Sequence, residues 1–153
     1  MVRYPRMSTT ASWVAEAVDT LSLAERVRTV DDPERSDVLR RVTDAFLERT
    51  DVLFWWSHLK VPSESWQTEN GYKHLPQLAP DPESDCWLIT GLEDVEKGVF
   101  QCTPALASAI IGECPGFEYA LVDRALQWMV IENHHDILIA AGDAAPRLSR
   151  LRG

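Results

Sequence analysis

Three apolar runs near the C-terminus are joined by connections too short for any arrangement except antiparallel neighbours. They occupy residues 117–123, 126–132 and 137–141, with Arg124-Ala125 and Asn133-His134-His135-Asp136 between them. A parallel crossover needs about a dozen residues or more, so the spacing predicts a three-stranded antiparallel meander. The middle run, Leu126-Gln-Trp-Met-Val-Ile-Glu132, is apolar at nearly every position, as a strand covered on both faces must be. Successive side chains alternate along a strand, so Trp128 and Ile131 are expected to be buried on opposite faces.

Upstream, the pattern changes to helical spacing. Trp13, Val14, Ala17, Val18 and Leu21 share one broad helical face from Ser12 onward. Ser22 and Glu25 have capping-box spacing for a further short turn. Asp32-Pro33-Glu34 reads as a helix start, with a helix to Arg49 burying Val38, Leu39, Val42, Ala45 and Phe46. Residues 52–59 are apolar in a way that fits either a strand or a helix, and their aromatic content favours the strand. Four prolines and Asn70-Gly71 make 61–85 mostly loop. Strands are expected at 86–90 and 99–103, and Thr103-Pro104 should open a helix through Gly112. Residues 1–11 and 143–153 are expected to be loose tails. Together these elements predict an α+β domain over 1–153, with N-terminal helices packed on a mainly antiparallel sheet.

Composition narrows the function classes. Six Trp and abundant aliphatics exclude intrinsic disorder, and no apolar run approaches the roughly 18 residues of a membrane span. The opening Met1-Val-Arg-Tyr-Pro-Arg lacks the apolar stretch of a secretion signal, so the expected compartment is the cytoplasm. Three Cys without a CxxC pair argue against a disulfide framework. The formal charge of −9 is unevenly spread: residues 63–143 hold fourteen acids against only Lys73, Lys97 and Arg124. Such an excess repels a nucleic-acid backbone and attracts a basic protein. No cofactor-binding fingerprint, phosphate loop or nucleophile elbow is present.

Two constellations carry ligand-type side chains. The first is Glu132-Asn-His-His-Asp136. If extended, Glu132, His134 and Asp136 share one face, and with His135 they are the candidate ligands for a transition metal. The alternatives are a hairpin whose Asn and Asp bond their own backbone, and a partner-binding surface. The second is Trp66, Tyr72 and His74 in the long loop, where aromatic rings with polar tips suit an interface. Glu113, Glu118 and Glu132 are a further candidate carboxylate set, with no spacing that fixes their separation.

Gly112-Glu-Cys-Pro-Gly-Phe-Glu-Tyr119, Gln127-Trp128 and Glu132-Asn-His-His-Asp-Ile-Leu-Ile139 resemble a family of small uncharacterised bacterial proteins. The Trp55-Trp56 pair and Tyr72-Lys-His-Leu-Pro76 resemble its middle region, and the likeness covers about 50–142. It implies a small cytoplasmic α+β domain, and no activity. In size and acidity the chain is similar to immunity proteins that neutralise bacterial toxins. The function expected from these readings is non-enzymatic binding of a basic protein partner, without cofactor, nucleic acid or membrane. The alternatives are a metal-dependent hydrolase at Glu132, His134, His135 and Asp136, and a structural or adaptor domain pairing through a sheet edge.

Overall fold

A computed structural model describes residues 9–153. In chain order the elements are α1 (Thr9–Thr20), β1 (Arg28–Thr29), α2 (Glu34–Phe46), β2 (Ser63–Gln67), α3 (Leu75–Leu78), β3 (Cys86–Thr90), β4 (Gly98–Cys102), α4 (Pro104–Gly112), β5 (Tyr119–Asp123), β6 (Trp128–Glu132), β7 (Ile137–Gly142) and α5 (Ala145–Arg152). The seven strands form one sheet in the order β1-β4-β3-β5-β6-β7-β2. Every neighbouring pair is antiparallel. The α+β reading and the β5-β6-β7 meander are thus both present.

Alternation along the inner strands builds two cores. One face presents Leu88, Phe100, Leu121, Trp128, Val130 and Leu138 to α1, α3, α4 and α5. The other presents Trp87, Ile89, Val122, Met129, Ile131 and Ile139 to α2 and to Trp55. Trp128 and Ile131 are both buried and fall in different cores, as an odd spacing requires. α4 begins at Thr103, whose side chain accepts the Leu106 N–H, with Pro104 in the first helical position.

Several elements differ from expectation. Residues 52–59 contain a single 3-10 turn, Trp55–Ser57, and no strand. The run is apolar because Trp55 inserts fully into the second core, not because it joins the sheet. Within the expected loop 61–85, β2 pairs with β7 from Ser63↔Ala141 to Gln67↔Ile137. α2 stops at Phe46, and Leu39 and Ala45 are only partly buried. Ser22 adopts a positive φ of 58°, so the capping-box spacing there starts no helix. The C-terminal tail is α5, held by buried Ala145 and Leu148. Residues 9–11 belong to α1, with Thr10 and Ala11 buried, and the remaining expected tail, 1–8, lies outside the described residues. No helix among the described residues is long and apolar enough to cross a membrane.

Candidate functional site: an acidic cleft at the end of the sheet

The β6–β7 connection is a turn with its own internal logic. Asn133 N–H donates to Ile137 O and Asp136 N–H to Asn133 O, with Asp136 in the left-handed region at φ 57°. This is a three-residue hairpin loop closed by a left-handed residue. Asn133 Oδ1 accepts the His135 and Ile137 N–H groups at 2.9 and 3.1 Å. The backbone-bonding reading therefore holds for Asn133. His134 and His135 are exposed, with ring centroids 3.9 Å apart, and both rings contact Trp56 at 6.3 and 6.0 Å.

Glu132 ends β6 beside Tyr119, its partner in the register of β5. Tyr119 Oη donates to Glu132 Oε1 at 2.8 Å, and the Gly71 N–H donates to Oε2 at 3.0 Å. A Cβ at Gly71 would stand 3.1 Å from that carboxylate, so the loop approaches β6 closely because residue 71 has no side chain. One register step outward, Glu118 precedes β5 and is only 1% exposed. Its Oε2 accepts the His134 N–H at 3.0 Å and meets His134 Nδ1 at 2.5 Å. Glu93, in the β3–β4 turn, accepts the Glu118 N–H at 3.0 Å.

These groups surround a cleft of about 670 Å³ at the end of the sheet where β5 begins and β6 ends. Glu93, Glu118, Glu132 and Asp136 supply carboxylates to its wall, Phe54, Tyr72 and Phe117 supply aromatic rings, and among the described residues no Lys or Arg lines it. Burial pushes the Glu132 carboxyl above the ordinary range, against the lowering effect of the Tyr119 and Gly71 hydrogen bonds. Burial also pushes Glu93 up. The Tyr119 hydroxyl is raised well above its usual value, first by burial and then by the Glu132 charge.

The raised Glu132 has a consequence for stability. Between the ordinary glutamate value, about 4.3, and its raised folded value, the folded chain holds a proton that the unfolded chain has lost. The stabilisation from Glu132 is complete at low pH and declines as pH rises through the folded value. In Glu132→Gln the amide oxygen can accept the Gly71 N–H while its NH₂ donates to Tyr119 Oη, so both contacts survive. The variant should therefore gain in melting temperature relative to wild type as pH rises from the ordinary glutamate value toward neutrality. A difference that stays flat across that range in thermal melts would contradict the raised carboxyl.

Of the residues singled out from sequence, Tyr72, Glu118, Glu132, His134 and Asp136 converge on the cleft. His135 turns away toward Trp56, and Trp66 stacks on His74 at 4.9 Å outside the cleft lining. Glu113 does not line it, whereas Glu93 and Phe54, which carry no sequence signal beyond an acidic turn and an aromatic run, do. Glu118 did carry one: it is a carboxylate inside an apolar strand run. The proposed metal set Glu132, His134, His135 and Asp136 is not assembled. Glu132 is engaged by Tyr119 and Gly71, and among the described residues no three His, Cys, Asp or Glu side chains group to hold an ion.

No curated protein and no solved structure matches the chain. A family model does match it, over a wider span than the 50–142 in which the sequence resemblance is concentrated. With residues 12–152 matched, the chain belongs to the family of unknown function designated DUF6756.

Proposed function

We propose that the protein is a non-enzymatic binding domain that engages a basic protein partner through the acidic cleft, in the manner of a bacterial immunity protein that neutralises a toxin. The observation that carries this reading is the cleft wall, which places four carboxylates around one opening with no Lys or Arg among the described residues that line it. Like charges gathered at one concave site raise the local concentration of a cationic surface and speed its encounter. The exposed rings of Phe54, His134 and His135 stand at the same end of the sheet as anchors for the docked partner. The compartment consistent with this role is the cytoplasm.

The test is co-expression with a growth-arresting basic protein encoded beside it. Growth should recover, and affinity for the purified partner should fall at least roughly tenfold between about 50 and about 300 mM salt. Reversing the charge of exposed Asp136, as Asp136→Lys, should slow association and abolish most of the salt response. Failure of every such neighbour to bind, or binding indifferent to both salt and Asp136, overturns the reading.

A further inference from the structure

We infer that the floor of the cleft is a pocket for the guanidinium of a single arginine side chain on the partner, a deepening that rests on the binding role proposed above. Two buried polar atoms point to a ligand there. Glu118 is 1% exposed, and its Oε1 has no hydrogen-bond partner. Asn133 is 4% exposed, and its Nδ2 likewise has none. Both residues line the cleft. Leaving such atoms unpaired costs free energy, most of all on a carboxylate, unless a bound group serves them.

The chemistry of that group follows from the surroundings. Glu118 Oε1 needs a donor, and the neighbouring carboxylates of Glu93, Glu132 and Asp136 favour a cation. A guanidinium presents several N–H donors in one plane and packs its faces on aromatic rings such as Phe54 and Tyr72, which an ammonium does less well. The Asn133 amide cannot be turned to help it, because Oδ1 is held by two backbone N–H groups and Nδ2 must remain the donor. A peptide carbonyl beside the inserted arginine accepts from Nδ2, so the ligand is arginine within a polypeptide rather than a free guanidinium.

A guanidinium that forks across both Glu118 oxygens also needs Oε2, and that oxygen is already in use. The His134 ring contacts Glu118 Oε2 while remaining 52% exposed. It covers Oε2, so a guanidinium that takes that oxygen must displace it. His134 is thus a competitor for Glu118.

The experiment is an amide NMR titration of the full chain near neutral pH with Nα-acetyl-arginine N-methylamide. Its citrulline counterpart, of nearly the same shape but neutral, is titrated in parallel. The arginine compound should shift the His134 and Asn133 amides and bind in the range of about 1 mM. The citrulline compound should bind at least about tenfold more weakly. His134→Ala, at an exposed position, should bind the arginine compound a few-fold more tightly. Equal binding of the two compounds, no shift at those two amides, or weaker binding by His134→Ala each overturns the pocket. If the arginine compound fails while a basic partner still binds in a salt-dependent way, the pocket is wrong and the binding role stands. If the compound binds but no basic partner is neutralised, the binding role fails and the pocket stands.

Discussion

Trp128→Ala is expected to cost about 3–5 kcal/mol and to bring the chain to the edge of unfolding. Trp128 is 3% exposed on an interior strand, with β5 on one side and β7 on the other. Its ring belongs to the core under α4 and α5, where it shares a sheet face with Val130 and Leu138 and α5 contributes Leu148. Truncation removes the apolar area of the largest side-chain type and leaves a void that the paired strands cannot collapse into. Urea denaturation should show a much earlier midpoint or loss of a cooperative transition. A melting temperature close to wild type would mean that β6 does not hold the centre of the fold.

Gly142→Ala should be nearly as damaging, by about 3 kcal/mol or more, although it adds one methyl group. Gly142 sits at φ +64°, where a side chain is strained, and a Cβ would lie 2.4 Å from the Gln127 carbonyl oxygen. Neither group can withdraw. Gly142 is in register with Trp128, and the same Gln127 oxygen accepts the Asp143 N–H that leads into α5. Gly116 is the control, because a Cβ there meets nothing within 4 Å. Gly116→Ala should change stability by less than about 0.5 kcal/mol. If chemical denaturation gives both variants the same stability, the close packing at the β6–α5 junction is refuted.

What was readable from sequence follows how completely each element buries itself. β3, β5, β6 and β7 are covered on both faces, so their apolar runs stand out even where the ends shift by one or two residues. β2 reads Ser-Glu-Ser-Trp-Gln because it is an edge strand in which only alternate side chains are half-buried. Its pairing with β7 is made by backbone groups, which leave no mark on side-chain pattern. α5 was hidden for a related reason: Leu148 and Ala145 are its only buried residues, and four of its eight positions are Arg or Ser. The cleft was legible in part. Glu132, His134 and Asp136 are adjacent in sequence, whereas Glu93 and Phe54 reach the site only because distant loops meet at one end of the sheet.

The bond between the last helix and the sheet edge bears on how this chain behaves at high concentration. In β2, Pro62 O and Thr68 N–H pair inward with β7, so by alternation the polar backbone groups of Ser65 face away from the sheet. The Ser65 carbonyl is taken by the guanidinium of Arg152, which also pairs with Glu64 at 3.2 Å. At the opposite end, β1 is only two residues long, and Arg28 reaches across it to Gln101 and Glu34. The shortness of β1 and the guanidinium on the Ser65 carbonyl each interrupt the row of amides and carbonyls on which a second molecule can template a strand. Strand-by-strand stacking into ribbons is disfavoured at both margins. Trimming the final helix would remove the guanidinium from one of them and raise the tendency to fibrous association.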